Sequence, residues 1–392
     1  MNRRADHPDT AALVAGRSAD DGLAPALEPS TAFGAADASD AARRAVRPRV
    51  TDFYGRYGNP TVQAFADAVA ELEGAEAAVC SSSGMGAIST VVLGMCSQGS
   101  HVVTQRQLFS GTLQLFNQVC PRFGIDVTFV DVHDTEAWLS AVEPGRTTLV
   151  FAETPSNPTL ALADLDALGA ISGPITAVDS TMATPLIQRP LDYGVDLVVH
   201  SATKALSGHN DATLGVIAGE KTLVNELWGY AVVQGSSASA FDSWNALRGL
   251  KTLGVRLERQ CANALKVAGM LSAHGAIADV YYPGLEGHPQ RALAARQMAS
   301  GGGCVTFELA GGYDAAYAFA QALRLAHLAP SLGGPETLVN HPASMTHAQL
   351  EPAQRAAIGI GEGMIRLSMG LEHPDDLTAD ICTALQAAHT GS

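Results

Sequence analysis

Basic side chains are scarce in this chain: of 24 Lys and Arg, only four are Lys, at positions 204, 221, 251 and 266. Against 39 Asp and Glu they leave a net charge of −15, and no local basic patch offsets it. Such a surface repels nucleic acid and anionic lipid. Charged residues make up only 16% and aromatics 6% of the chain while 47% is hydrophobic, which excludes a disordered chain or a coiled coil. The six cysteines (Cys80, Cys96, Cys120, Cys261, Cys304, Cys382) are widely spaced with no C-x-x-C pair, which argues against a disulfide framework or a zinc site. They read as buried thiols in a reducing compartment. No apolar run approaches membrane-spanning length, and Ala11 to Ala15 is too short for a signal-peptide core. A cytoplasmic location with no membrane or nucleic-acid partner is expected.

The common nucleotide and hydrolase signatures are also missing. Gly84-Met85-Gly86 meets Ser89 where G-x-G-x-x-G needs its last Gly, and Glu220 precedes Lys221-Thr222 where a P-loop needs Gly. Ser81 stands where a nucleophile elbow around Ser83 would begin with Gly. His341 and His347 are too far apart for a helical metal pair, so no metal is expected.

With 392 residues the chain has room for one large core and a smaller one. Residues 1 to 55 lack sustained periodicity and read as an arm that must lie against something else to be ordered. From Thr61 an amphipathic helix is expected, closed by Gly74, after which short apolar runs alternate with helical stretches. Seven strands are expected: Ala77–Cys80, His101–Thr104, Asp126–Val130, Thr148–Ala152, Ile175–Asp179, Asp196–His200 and Gly215–Ala218. That alternation predicts an α/β fold with a mostly parallel sheet flanked by helices over residues 56–254. A long helix from near Phe241 past Arg259 leads into a smaller α+β domain over 255–392, with strands Cys304–Leu309 and Met364–Met369 and helices around Ala315–Leu325 and Pro352–Ile358.

The chemistry concentrates between Asp179 and Asp211. One apolar strand ends in Asp179, and another runs into Ser201-Ala202-Thr203-Lys204. Ligands of open α/β sheets sit beyond the carboxyl ends of the strands, so both charges can face one crevice. A Lys there can form a Schiff base with an aldehyde cofactor, and an Asp can keep a pyridinium nitrogen protonated, the pairing pyridoxal phosphate needs. An Asp capping a turn beside a surface Lys is the plainer alternative. Ser81 to Gly86 forms a small-residue turn before a helix, suited either to cradling a phosphate around Ser83, Gly84 and Met85 or simply to capping the helix. Phe109 follows a strand and can stack on a planar ring or belong to the core. Arg366 interrupts the apolar run Met-Ile-Arg-Leu-Ser-Met, which suits an anion such as a substrate carboxylate, or else a surface salt bridge.

The segments Tyr54-Gly-Arg56-Tyr-Gly-Asn-Pro-Thr61, Ser82-Ser-Gly-Met-Gly86, Glu153-Thr-Pro-Ser-Asn-Pro158, His200-Ser-Ala-Thr-Lys204 with Gly208-His-Asn-Asp211, Arg248-Gly-Leu-Lys-Thr-Leu253, Ser331-Leu-Gly-Gly334 and His341-Pro-Ala-Ser-Met-Thr-His347 occur together. In them the chain resembles the transsulfuration enzymes of cysteine and methionine metabolism. These fold type I pyridoxal-phosphate enzymes include cystathionine gamma-synthase, cystathionine gamma-lyase, methionine gamma-lyase and the homoserine-ester sulfhydrylases. The resemblance implies Lys204 as the Schiff-base lysine, Asp179 as the pyridinium partner, and Ser201, Thr203, Gly84 and Met85 around the phosphate. It implies that Tyr54 and Arg56 reach the phosphate of a neighbouring subunit, with Tyr54 also able to move protons, in a dimer usually paired into a homotetramer. Asn157 matches the amide near the cofactor's phenolic oxygen, and Ser331 and Arg366 match the clamp for the amino-acid carboxylate.

Four positions depart from the family pattern. Phe109 replaces the usual Tyr and keeps the stacking without the hydroxyl; Gly111 falls where methionine gamma-lyases carry Cys; Pro330 and Ser180 occupy positions that vary or are commonly otherwise filled. The combination matches no single subfamily. The activity implied is γ-replacement or γ-elimination on a homoserine ester or sulfur amino acid. The alternatives are β-elimination from cystathionine or cysteine, and a cofactor-binding scaffold of weak activity.

Overall fold

The computed structural model of the chain describes residues 7–16 and 22–390. Seven strands form the large sheet: β1 (Ala77–Ser81), β2 (His101–Gln105), β3 (Asp126–Val130), β4 (Thr147–Glu153), β5 (Ile175–Asp179), β6 (Leu197–Ser201) and β7 (Gly215–Gly219). Their spatial order is β1-β7-β6-β5-β4-β2-β3. Only β7 runs against its neighbours, so β1 and β6 on its two sides point the same way and the sheet is mostly parallel, as expected.

Both faces of the sheet are covered, which is why its strands read as continuous apolar runs. Leu149, Phe151, Ala177, Leu197 and Val199 face the core shared with Ile88, Val91 and Val92 of the helix Gly84–Met95. The intervening Val150, Ala152 and Val178 face a second core with Trp138 and Leu165. Burying each such Val, Leu or Phe stabilises the fold by about 1.5–3 kcal/mol. The same two-residue period puts Glu153, Asp179 and Ser201, the last residues of β4, β5 and β6, on the face of Phe151, Ala177 and Val199.

The helix expected from Thr61 spans Pro60–Glu73, with Asn59 capping it through Oδ1 and Gly74 closing it at φ 71°. The single long helix expected from Phe241 is two, Ala240–Leu250 and Leu253–Ser272. The Gly249 carbonyl explains the break. It accepts from Thr252 N at 3.1 Å and from the buried Arg256 Nη2 at 2.8 Å, so it is not left to continue the helical ladder.

A five-stranded sheet follows, in the order β10-β11-β12-β9-β8: β8 (Ile277–Tyr281), β9 (Cys304–Leu309), β10 (His327–Leu328), β11 (Leu338–Asn340) and β12 (Met364–Ser368). Helices Gly312–Ala322 and Pro374–Thr390 bury Phe319, Leu377 and Ile381 with Val305, Phe307, Ile365 and Leu367 of β9 and β12. Part of the N-terminal arm is ordered against its own chain. The helix Pro8–Val14 buries Ala12 in the core that contains Phe65 and Leu253. Residues 1–6 and 17–21 of that arm lie outside the described residues. The six cysteines are all unpaired thiols; Cys80, Cys96, Cys120 and Cys304 are buried as expected, whereas Cys261 and Cys382 are half-buried. Among the described residues no helix is long and apolar enough to cross a membrane.

Candidate active site

Parallel strands deliver their last side chains to one edge, and here that edge is a cavity of about 250 Å³. It is lined by Ser83, Gly84, Met85, Phe109, Glu153, Asn157, Asp179, Ser201, Thr203 and Lys204, with Arg366 of β12, Pro330 and Leu332 contributed from the smaller sheet's side. Ser331 joins them by accepting from Lys204 Nζ through Oγ at 3.1 Å. Eleven of the thirteen residues expected at the site from sequence are thus brought together: the eleven are Lys204, Asp179, Ser83, Gly84, Met85, Phe109, Asn157, Ser201, Thr203, Ser331 and Arg366.

On the β1 side, Ser83 caps the twelve-residue helix Gly84–Met95 by accepting from Gly86 N at 3.0 Å. Gly84 approaches β6 so closely that a Cβ there would lie 2.5 Å from Ser201 Cβ. The result is a notch of backbone N–H groups and small hydroxyls at a helix N-terminus, the environment an anionic phosphate requires. The Phe109 ring forms a wall beside Met85, and Gly111 leaves room for it, since a Cβ at 111 would sit 2.8 Å from Phe109 Cε1.

Asp179 is buried at 6% exposure, and its Oδ1 accepts from Thr181 N at 2.9 Å and Thr181 Oγ1 at 2.5 Å. Burial raises its pKa, and these two donors oppose the rise. In register beside it, the Glu153 carboxyl is pushed well above the usual carboxylate range, first by burial and then by the Asp179 charge, against the pull of the Phe109 and Asn157 N–H groups. Lys204 is lowered to about 8 by burial and by the Arg366 cation. Arg366 itself is only 2% exposed. Its Nη1 donates to Asn157 Oδ1 at 2.6 Å and its Nη2 to the Ser331 carbonyl at 2.8 Å, while its Nε has no partner within the protein. A buried guanidinium with a free donor beside an open cavity is the place for a carboxylate, and the surface salt bridge considered as an alternative is not what Arg366 makes.

Tyr54 and Arg56 are the two residues that do not line this cavity. Arg56 Nη1 donates to the Val232 carbonyl at 2.9 Å, its guanidinium lies 5.7 Å from the centre of the Tyr54 ring, and Tyr54 is 45% exposed. Glu153 and Thr181 also line the cavity, although neither is expected there from the sequence. Glu153 carries the signal that singled out Asp179, an acid ending a buried apolar strand; Thr181 carries none, because its contribution is a local turn.

These residues fit pyridoxal phosphate. A Cβ at Gly84 would fill the anion notch, an acid and an amine face the same cavity from neighbouring strand ends, and a flat aromatic wall stands beside them. The family described as Cys/Met metabolism PLP-dependent enzyme matches residues 9–386. The chain is 41% identical over 384 residues to an O-succinylhomoserine sulfhydrylase of Pseudomonas aeruginosa, covering 97% of this chain and 95% of the relative. It is 42% identical over 339 residues to an L-methionine gamma-lyase of Fusobacterium nucleatum, covering 85% and 86%. The solved structure of cystathionine gamma synthase from Xanthomonas oryzae in complex with cystathionine superposes with a TM-score of 0.92 at 38% identity, covering 99% of this chain and 100% of that one. The fold and these likenesses agree: the chain belongs to the Cys/Met metabolism family of pyridoxal-phosphate-dependent enzymes.

Proposed function

We propose that the protein catalyses γ-replacement on an acyl ester of homoserine. The observation that carries this choice is Phe109, which lines the cavity with no proton to give a departing group. A carboxylate, whose conjugate acid has a pKa of about 4, departs without a proton, whereas a thiolate, at about 8.5, is a far poorer leaving group unless it is protonated. A cavity walled by Phe109 therefore suits an ester better than a thioether such as cystathionine or methionine.

In this reading Lys204 would hold the cofactor, with Asp179 at its ring nitrogen, Asn157 on the side of its phenolic oxygen, and Ser83, Gly84, Met85, Ser201 and Thr203 around its phosphate. Bound there, pyridoxal phosphate supplies the electron sink that makes the protons on Cα and Cβ of an amino acid acidic. Arg366 holds the substrate carboxylate, its plane fixed by Asn157 and the Ser331 carbonyl. Lys204, poised near neutrality, moves protons at Cα and Cβ, and Ser331 Oγ orients its amine. Loss of the acyl carboxylate from Cγ then leaves Cγ open to a sulfur nucleophile.

Tyr54 and Arg56 complete the phosphate site of a second copy in a homodimer that pairs into a tetramer, with Tyr54 as a further proton carrier. Their position away from the cavity of their own chain and the exposure of Tyr54 support this. Six unpaired thiols support a reducing, cytoplasmic setting. The test is incubation of the holoenzyme with O-succinylhomoserine, O-acetylhomoserine, cystathionine and methionine, each with sulfide or cysteine, and identification of products by mass. Faster consumption of the esters, with homocysteine or cystathionine as the product, is expected. Faster turnover of the thioethers, a three- or four-carbon oxo acid as the main product, or no turnover of any substrate would overturn the reading.

A further inference from the structure

Glu153 is only 3% exposed and sits in register beside Asp179, a second buried carboxylate. Buried carboxyl groups so placed destabilise the fold unless their oxygens are held by donors. The donors of Glu153 come from two separate loops. Phe109 N, at a helix start that no side chain caps, donates to Oε2 at 2.9 Å. Asn157 N donates to Oε1 at 2.7 Å. The backbone of Glu153 is pinned in turn, its N–H donating to Gln105 Oε1 at 3.1 Å and its carbonyl accepting from Gln105 Nε2 at 2.9 Å.

We propose that Glu153 is a positioning residue for the reaction, a single carboxylate that fixes the aromatic wall and the substrate-carboxylate clamp relative to one another. Oε2 sets the backbone that carries the Phe109 ring, and Oε1 sets Asn157, whose Oδ1 holds Arg366 Nη1 at 2.6 Å. From Arg366 the chain of contacts continues through the Ser331 carbonyl to the residue whose hydroxyl accepts from Lys204. The requirement for a carboxyl group is geometric, and it holds in either protonation state. Two N–H donors converge on it, and only an acceptor with two oxygens meets both. An amide of the same shape offers one oxygen and turns its NH2 against the other donor. The inference rests on the functional reading above only in taking Arg366 as the carboxylate clamp and Phe109 as the cofactor's wall.

Glu153→Gln in the holoenzyme tests it with two readouts that need no turnover: the visible circular dichroism of the bound cofactor, and the affinity for L-norvaline, an amino acid without a γ leaving group, measured by absorbance titration. Leaving one buried N–H without an acceptor is expected to weaken norvaline binding roughly tenfold and to change the dichroism. Combined with Arg366→Lys, the two losses in norvaline affinity should be less than multiplicative, because both act through one clamp. A lowered melting temperature with unchanged dichroism and unchanged norvaline affinity would reduce Glu153 to a structural residue and overturn the proposal, as would fully multiplicative losses. Should Glu153→Gln not fold, Glu153→Asp keeps both acceptors but draws them back by one methylene; wild-type dichroism and affinity in that variant would overturn the proposal equally. A wild-type protein that binds norvaline but turns over no homoserine ester refutes the γ-replacement reading and leaves the test of Glu153 intact.

Discussion

Lys204 sits where its own charge is disfavoured, and the consequence is measurable in the cofactor-free protein. Burial first and the Arg366 cation second lower its pKa from 10.5 to about 8. At pH 7.5 an amine of pKa 8 is roughly one quarter neutral, against about one part in a thousand at 10.5, a gain of roughly 250-fold in the form that attacks an aldehyde. Capture of pyridoxal phosphate by the cofactor-free protein is therefore expected to rise with a midpoint near pH 8. The assay is stopped-flow growth of visible absorbance from pH 6 to 10, corrected with Nα-acetyl-lysine for the cofactor's own ionisations. Arg366→Gln should raise the midpoint but leave it well below 10.5, since burial is the larger cause and remains. Stability carries the same signature. With the folded pKa depressed, the folded state binds fewer protons than the unfolded one between about pH 8 and 10.5. The penalty, roughly 3 kcal/mol at most, is then fully present below that window and relieved as pH rises through it. Relative to Lys204→Met, the wild-type cofactor-free protein should gain stability across the window. A capture midpoint near 10, or identical pH dependence of melting in the two proteins, would refute the argument.

The large sheet is legible in the sequence because both of its faces are buried. Strands covered on two sides become uninterrupted apolar runs, so a charged residue that ends one, such as Asp179 or Glu153, stands out against its background. Arg366 stands out for a related reason, as a cation in the middle of the buried β12. The smaller sheet is less legible: β10 is two residues long and exposed, β11 is three, and β8 is half-exposed, so none carries a run long enough to show a period. The break between the helices Ala240–Leu250 and Leu253–Ser272 is invisible in the chain because it depends on Arg256 folding back onto the Gly249 carbonyl. The site divides along the same line. Residues that act through a charged or aromatic side chain at a strand end are readable, while the partners of Glu153 are backbone N–H groups that any residue type supplies, and Thr181 adds a hydroxyl from a turn that carries no period.

Three further outcomes test the phosphate notch, the second subunit and the aromatic wall separately. Gly84→Ala would place a methyl 2.5 Å from Ser201 Cβ, forcing the helix start and β6 apart; the affinity for pyridoxal phosphate should fall by about tenfold or more by absorbance titration, and unchanged affinity would remove the notch as the phosphate site. Arg56→Ala and Lys204→Met should each be inactive alone. Mixed one to one and allowed to exchange subunits, they should recover about a quarter of wild-type activity, because half of random dimers are mixed and each of those has one intact site; no recovery would mean that Arg56 does not serve a second copy. Phe109→Tyr tests the choice between ester and thioether most directly. The ring already lines the cavity, and Gly111 gives it room, so the substitution adds one hydroxyl to an existing wall. If the missing proton donor is what disfavours thioethers, the hydroxyl should raise cleavage of cystathionine or methionine by about 10²-fold, the lower end of what a placed acid contributes. Turnover of a homoserine ester should change little, because its leaving group needs no proton. Equal gains on both classes would show that the hydroxyl acts on a step they share, and the leaving-group argument would fail.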